Sequence, residues 1–201
     1  MLTASQRAKY PLLQKRWETI EAVWDSLKRT AKITLDDQID WQGKLGKQVP
    51  TPSIRVVCSR SGNRIAAAVC TDPEALIEQT LCWMPVASEA EGHYLAAVLN
   101  GDIVAAQTAA KQSKGLFGGR DIVRLPWRLW IARYDAANAI HATIAALGAQ
   151  AAATAATVDL STVSTFTAGR ALVRAAVTAA GLSPKIEVEV TAMLEETEAA
   201  S

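Results

Sequence analysis

The stretch of residues 76–134 constrains the fold most, because an apolar strand, two capped helices and a basic glycine loop follow one another in it. Ser88 and Glu91 stand three residues apart just before an apolar run, which is the spacing of a helix capping box. The tripeptide Asn-Gly-Asp at 100–102 ends this helix and can cap a second one that extends to about residue 112. This order of elements predicts an α+β fold rather than an all-helical bundle.

Four strands are predicted around this stretch. Residues 54–58 and 64–70 are short apolar runs joined by Ser-Gly-Asn at 61–63, which predicts a hairpin. Residues 77–86 are more continuously apolar, and we expect them to form the central strand. Residues 125–132 supply a fourth strand. The predicted fold class is therefore α+β, with a small mixed or antiparallel sheet of about four strands, flanking helices and a helical C-terminal extension.

The segment before the sheet is predicted to be helical and amphipathic. Residues 5–29 place apolar side chains at helical spacing, and Pro11 breaks or starts this helix. Trp17 and Trp24 lie seven residues apart on the apolar face, and we expect that face to pack against the sheet. A further short helix is predicted to open at residues 34–37.

The segment after the sheet is rich in alanine, which favours helix. One helix is expected from residue 135 or 138 to about 157 and a second from about 163 to 180. A last helix is favoured over a strand for residues 186–195. The chain is thus divided into an N-terminal helix with an irregular lead-in (1–50), an α+β core (51–135) and an alanine-rich helical extension (136–201).

The composition is that of a chain able to fold around a core. Its 201 residues suffice to bury one, half of them are hydrophobic, and the formal net charge is +1, which excludes a disordered polyelectrolyte. No run approaches the roughly 18 apolar residues of a membrane span, and no signal peptide precedes the first helix, so we expect a cytoplasmic protein without a membrane partner. Cys58, Cys70 and Cys82 each stand alone in a predicted strand without a C-x-x-C pair, so neither zinc nor a disulfide scaffold is expected.

No group of residues in the sequence forms a recognisable catalytic constellation. His93 and His141 are the only histidines, and each lies on a predicted helix beside apolar residues. The glycines within residues 115–119 lack the Gly-Lys-Ser/Thr ending of a phosphate-binding loop. We therefore expect no catalytic residue, no metal and no cofactor in this chain. A small enzyme with an unrecognised site is the least favoured alternative.

Positive charge is concentrated in one loop. Between Lys111 and Arg133 there are six lysines or arginines and one acidic residue, in a chain whose net charge is only +1. Lysine and arginine bind DNA phosphates, and glycine lets a backbone approach closely. A basic face that is merely solvated is the alternative. The predicted DNA-binding residues are Arg60, Arg64, Lys111, Lys114, Arg120, Arg124 and Arg128.

Several segments of this sequence resemble a known family. Residues 62–68 (GNRIAAA), 82–86 (CWMPV) and 88–100 (SEAEGHYLAAVLN) are similar to the C-terminal, target-recognition part of restriction–modification N6-adenine DNA methyltransferases, including fused type II and helicase-linked enzymes. Residues 118–122 (GGRDI) and 126–135 (PWRLWIARYD) resemble the glycine loop and the proline-led strand that follow in that family. The resemblance covers about residues 10–180.

The resemblance implies a DNA-binding specificity module that lacks its catalytic domain. Enzymes of the family bind S-adenosylmethionine through a glycine loop and position the adenine with an Asn/Asp-Pro-Pro-aromatic tetrapeptide. This chain contains no Pro-Pro pair, and Asp-Pro-Glu-Ala at 72–75 does not replace it. The implied partners are double-stranded DNA and a methyltransferase or nuclease–methyltransferase catalytic domain or subunit. The alternative is a helical protein-interaction subunit of a larger bacterial complex, which docks through its alanine-rich helices without touching DNA.

Overall fold

The computed structural model divides the chain into two compact units, residues 1–51 and 52–201. The predicted α+β class is confirmed, because helices flank a three-stranded antiparallel sheet. Among the described residues this sheet has three strands, where about four were predicted. The structure describes residues 2–112, 114–115, 118–119, 122, 129 and 131–199.

The first unit is built from short helical segments. Pro11 occupies the first turn of the longest helix, as predicted, because its fixed backbone angle suits that position and its missing N–H has no helical partner there. Thr34 caps the predicted short helix by accepting a hydrogen bond from the Asp37 N–H. The segments are α1 (Ala4–Arg7), α2 (Pro11–Leu27), α3 (Leu35–Ile39) and two 3-10 turns (Trp41–Gly43 and Gly46–Gln48).

Arg7 holds the first unit together. Its guanidinium donates to both carboxylate oxygens of Asp36, at 3.0 and 3.2 Å, and lies 4.0 Å from the ring centroid of Trp17. Such a bidentate pair joins α1 to α3, while the cation–π contact joins α1 to α2. Trp17 and Trp24 belong to the first unit and the sheet belongs to the second. The predicted packing of these tryptophans against the sheet therefore stays a prediction.

The sheet of the second unit has the order β2-β1-β3. The predicted hairpin is confirmed: β1 (Arg55–Ser59) pairs antiparallel with β2 (Ala67–Cys70). The central strand is β1, so the prediction that residues 77–86 are central is wrong; β3 (Leu81–Pro85) lies at an edge. A continuous apolar run is typical of strands buried in parallel sheets, so it does not identify the central strand of this antiparallel one.

A loop held by a buried arginine and then a local turn precede β3, which begins later than predicted. Arg55 is fully buried, and its guanidinium donates to the carbonyl oxygens of Asp72 (2.6 Å) and Ala75 (2.8 Å). These bonds hold residues 72–75 as a loop. The Glu78 carboxylate then accepts from the Thr80 N–H and hydroxyl, which forms a turn where strand was expected.

The predicted fourth strand at 125–132 falls mostly outside the described residues. Its described positions, 129 and 131–132, are not in a strand. The Ala132 carbonyl accepts a hydrogen bond from the Tyr94 hydroxyl at 2.9 Å, so a side chain rather than a neighbouring strand satisfies it. Two short strands not predicted from the sequence, β4 (Lys114–Gly115) and β5 (Gly118–Gly119), pair within the basic loop.

The helices of the second unit follow the predicted order. Ser88 caps α4 through the Glu91 N–H, while the Glu91 carboxylate accepts from Ala87, so only half of the capping box forms as predicted. Asn138, not Asp135, caps α6. The helices are α4 (Glu89–Asn100), α5 (Asp102–Lys111), α6 (Ala139–Ala156), α7 (Phe166–Ala179) and α8 (Leu182–Ala199).

The last helix is longer than the sequence pattern indicates. The predicted helix at 186–195 is confirmed in place of the strand alternative, and it extends over Leu182–Ala199. Pro184 lies in the first turn of α8, where a missing N–H costs no hydrogen bond. Gly181 separates the two helices with φ of 70°, a conformation that favours glycine.

The longest apolar helix, α6, passes the length and composition test for a membrane span, contrary to the expectation that no segment would. It is the only such helix among the residues that the structure describes. Four of its residues are buried in the protein core, and core helices of folded domains pass the same test.

The core of the second unit is built around α4, which contacts β1 and β2 of the sheet and also packs against α6 and α8. Gly148 on α6 faces the backbone of α4 so closely that a Cβ there would overlap the carbonyl oxygen of His93 and lie 3.1 Å from the Ala97 Cβ. The two helices α4 and α6 can therefore approach this closely because residue 148 is a glycine. The least exposed core side chains include Val56, Tyr94, Val98, Ile144, Val190 and Met193.

We expect Gly148→Ala to destabilise the protein by about 1–3 kcal/mol, because the added methyl group forces α6 away from α4. Gly169→Ala is the matched control. Its Cβ would meet side chains at an ordinary 3.7 Å, so helix propensity makes it neutral or stabilising, by up to about 1 kcal/mol. Urea unfolding of both variants checks the difference; equal stabilities would contradict the proposed role of the α4–α6 contact.

Candidate nucleic-acid interface

The turn between β1 and β2 carries two of the predicted DNA-binding residues. Gly62 adopts φ of 122°, which favours glycine and allows the turn to form. The Arg60 guanidinium donates to the carbonyl oxygen of Gln79 at 2.7 Å. Arg64 donates to the carbonyl of Asn100 and forms an ion pair of 2.5 Å with Asp102. Both arginines are half-buried and oriented by specific acceptors.

The predicted basic loop is attached to this turn at two points, near its start and at its middle. The Gln112 side-chain amide donates to the carbonyl oxygen of Gly62 at 2.7 Å. The Ile122 N–H donates to the carbonyl oxygen of Arg60 at 2.9 Å, and the Ile122 side chain is buried in the core. Two basic segments that are about 50 residues apart in the sequence therefore lie side by side.

The structure describes some of the predicted site residues fully, one by its backbone alone, and others not at all. Arg60 and Arg64 lie on the turn, and Lys111 is exposed at the end of α5, next to the residue that bonds Gly62. The backbone of Lys114 belongs to β4, opposite Gly119. The side chain of Lys114 and the whole of Arg120, Arg124 and Arg128 lie outside the described residues.

The structure adds Arg170, which sequence reasoning missed. Its Nη1 atom lies 4.0 Å from the position that a Cβ would take on Gly62, so α7 brings a further guanidinium to the turn. In the part of the chain that the structure describes, no carboxylate lies within ion-pair distance of Arg170. Arg170 and Arg174 stand four residues apart on an amphipathic helix. That spacing does not reveal that Arg170 lies next to a turn 108 positions earlier in the chain.

Asn100 fixes the turn to the end of α4. Its Oδ1 accepts from the Ala67 N–H at 3.1 Å, and its Nδ2 donates to the carbonyl oxygens of Ala67 and Ala96, both at 2.8 Å. The side-chain amide thus satisfies backbone groups on the outer side of the edge strand β2. The sequence suggested only that Asn100 ends a helix.

Glu187 orients the helix that leads into the basic loop. The first residue before α5 is Gly101, which has no side chain with which to cap it. The Glu187 carboxylate accepts instead from the N–H groups of Asp102 and Ile103, at the positive end of the helix. Glu187 of α8 therefore orients α5, the helix that ends at Lys111.

A buried aromatic cluster anchors the chain after the basic loop. The Tyr94 ring lies 5.4 Å from that of Tyr134 and 5.0 Å from that of His141, measured between centroids. The His141 Nδ1 accepts from the Asp135 N–H at 3.1 Å, so the ring packs residues 134–135 against the core. Burial raises the pKa of the Tyr94 phenol above its usual range, and its hydroxyl stays a donor to Ala132.

The arrangement can bind anions through guanidinium and ammonium groups. Among the residues described, no three His, Cys, Asp or Glu side chains come together as ligands for a metal ion. Asp102 already neutralises Arg64, whereas no described carboxylate lies at ion-pair distance from the other described cations of this surface, Arg60, Lys111 and Arg170. Electrostatic attraction of a polyanion is the chemistry that these groups favour.

We expect Glu187→Ala to lower the free energy of unfolding by about 1 kcal/mol, because two N–H groups at the start of α5 lose their acceptor. Amide exchange should become faster in α5 than in α6. Glu195→Ala is the matched control, since Glu195 is exposed on the same helix α8. Equal effects of the two substitutions would show that Glu187 does not cap α5.

The site therefore consists of one glycine turn, one anchored loop and the ends of α5 and α7. Its geometry rests on the hydrogen bonds by which Gln112 and Ile122 join the loop to the turn, and on those that the turn makes with Gln79 and Asn100. No family model, no curated protein and no solved structure matches this chain.

Proposed function

We propose that this chain is a DNA-binding target-recognition module that directs a restriction–modification DNA methyltransferase to its site. The observation that carries the proposal is the attachment of the basic loop to the Arg60–Arg64 turn at two points, Gln112 and Ile122. This attachment combines two separate basic segments into one surface. The sequence resemblance to the target-recognition part of N6-adenine methyltransferases supports the same function.

The cations of this surface divide into two proposed roles. Arg60, Lys111, Lys114 and Arg170 bind DNA phosphates, which sets register without reading sequence. For Arg120 and Arg124 we propose contacts with base edges, because a forked guanidinium can pair bidentately with guanine. Arg64 already pairs with Asp102, so we assign to it the positioning of the turn.

The catalytic step belongs to another domain or subunit in this proposal. The chain has no Pro-Pro pair for the tetrapeptide that positions adenine. Double-stranded DNA and a methyltransferase or nuclease–methyltransferase catalytic partner are the proposed ligands of the module, and the cytoplasm is its proposed location. Calorimetry with S-adenosylmethionine on the purified chain should therefore give no binding signal.

We expect Arg60→Ala and Lys111→Ala each to reduce the slope of log affinity against log salt by about 0.9, because each removes one phosphate contact. Affinity should fall alike for cognate and scrambled duplexes. Lys9→Ala, an exposed lysine that is not among the proposed contacts, serves as the control. Gel-shift titrations at several salt concentrations measure the slope, and unchanged slopes in both variants would remove these residues from the interface.

We expect Arg120→Ala to weaken sequence preference while Lys114→Ala does not. Loss of a bidentate contact to one base typically costs about 1–3 kcal/mol at that position, whereas loss of a phosphate contact affects all sequences equally. Competition between the cognate duplex and single-base variants measures the preference, with the methyltransferase subunit present. A solvated basic face would leave both variants unchanged.

A second candidate function is that of a helical protein-interaction subunit, and a groove beside α7 favours it. The groove has a volume of about 1670 Å³ and is walled by α4, α6, α7, α8 and β2. Although α7 is amphipathic, Gly169 is its only buried residue among those described, and Phe166 at its start is 90% exposed. An apolar groove between helices is a surface on which a partner helix can bind.

The two candidates differ in how a variant of the groove should behave. Ala155 lines the groove, so Ala155→Trp should fill it and weaken assembly with a catalytic subunit, if helix docking is the function. Ala153 lies on the same helix outside the groove lining, and Ala153→Trp is the matched control. Analytical ultracentrifugation measures assembly, and helix docking should show little of the salt dependence expected for DNA.

A further inference from the structure

Two cysteines lie directly opposite one another in the sheet. Cys58 on β1 pairs with Cys82 on β3, so both side chains point to the same face. Hydrogen bonds from Val86 to Ile54 and from Arg60 to Thr80 identify the Cys58–Cys82 pair as a hydrogen-bonded position of the ladder. Opposite Cα atoms lie about 5.5 Å apart at such positions. This separation is within the range of about 4.4–6.8 Å found for disulfides.

The two thiols are not joined in a disulfide, and their environments differ. Cys58 is 8% exposed, whereas Cys82 is half-buried, so an oxidant in solution reaches the Cys82 sulfur more easily. Burial, and then the neighbouring Cys82 to which it is hydrogen-bonded, raise the pKa of Cys58 to about 11. Cys58 therefore stays a protonated thiol next to the more accessible sulfur.

The third cysteine has a different environment. Cys70 on β2 lies opposite Arg55, and its sulfur is 3.7 Å from the Arg55 Nη2. The residue of β2 that lies opposite Cys58 is Ala67. Cys70 is thus an internal reference for reactions that depend on the pairing of the other two.

We propose that Cys58 and Cys82 form a reversible oxidation site, which closes to a cross-strand disulfide in the presence of a peroxide. The Cys82 thiolate attacks one oxygen of hydrogen peroxide, the O–O bond breaks, and the departing hydroxide takes a proton to become water. The resulting Cys82 sulfenic acid is attacked by the Cys58 sulfur, the S–O bond breaks, and a second water leaves with the Cys58 proton. Two thiols and one peroxide give one disulfide and two waters.

The disulfide has a structural consequence at the end of the sheet. Arg60 follows Cys58 by two residues, and its backbone N–H already donates to Thr80, two residues before Cys82. A covalent bond between the strands holds them together at the base of the turn that carries Arg60. It also closes a loop between residues 58 and 82, which lowers the entropy of the unfolded chain and raises the melting temperature by several degrees.

The full-length protein is treated with hydrogen peroxide, denatured, and alkylated with iodoacetamide before intact-mass and peptide analysis. We expect one alkylated cysteine, Cys70, and a peptide in which Cys58 is joined to Cys82. Dithiothreitol should restore three alkylated cysteines. The untreated protein controls for oxidation during handling, and a second sample compares melting temperatures before and after peroxide.

Three variants sharpen the test. Cys70→Ser should form the disulfide as the natural chain does, whereas Cys58→Ser and Cys82→Ser should not, and neither should gain thermal stability from peroxide. Peptide mapping of the natural chain decides the matter even if a serine variant fails to fold. The proposal is overturned by a disulfide that includes Cys70, by one between two molecules, by sulfinic acid at Cys82 without a disulfide, or by three cysteines that all stay alkylatable. It is independent of whether the chain binds DNA.

Discussion

The contact between α4 and α6 at Gly148 is the constraint on which the second unit depends. Because residue 148 has no side chain, the backbone of α6 lies against the carbonyl of His93. That approach buries Tyr94 on one helix and Ile144 on the other, with neither side chain exposed. Interiors of proteins are close-packed. Moving α4 and α6 apart by the width of one methyl group at Gly148 would therefore leave gaps in the core on both sides of the contact.

The proposed interface depends on α4 in turn. The start of the helix packs against β2, where Gly92 leaves room for Val69. Its end carries Asn100, whose amide pairs with the backbone of Ala67 at the sheet edge. One helix therefore holds both ends of the strand that follows the Arg60–Arg64 turn. A loop intended for binding is placed accurately when a rigid scaffold holds its neighbours in this way.

Much of the local structure followed from the sequence, and the reasons are local. Pro11 starts α2, Thr34 caps α3 and Ser88 caps α4, because each acts on backbone groups within four residues of itself. The hairpin followed from a glycine turn between two apolar runs. The central strand was misjudged because strand order depends on pairing between distant segments, here β1 with both β2 and β3. The start of β3 was misjudged because the Glu78 carboxylate accepts from Thr80 and forms a turn there.

The sequence by itself determined the α+β class, the order of the helices and the concentration of basic residues, since periodicity, caps and charge are properties of short segments. Only the tertiary structure decided that the basic loop attaches to the Arg60–Arg64 turn, that Arg170 joins it, and that Cys58 faces Cys82. Each of these depends on strand register or on the approach of residues far apart in the chain. The free energy that selects among such pairings comes from the burial and hydrogen bonding of the whole unit, and no short segment contains it.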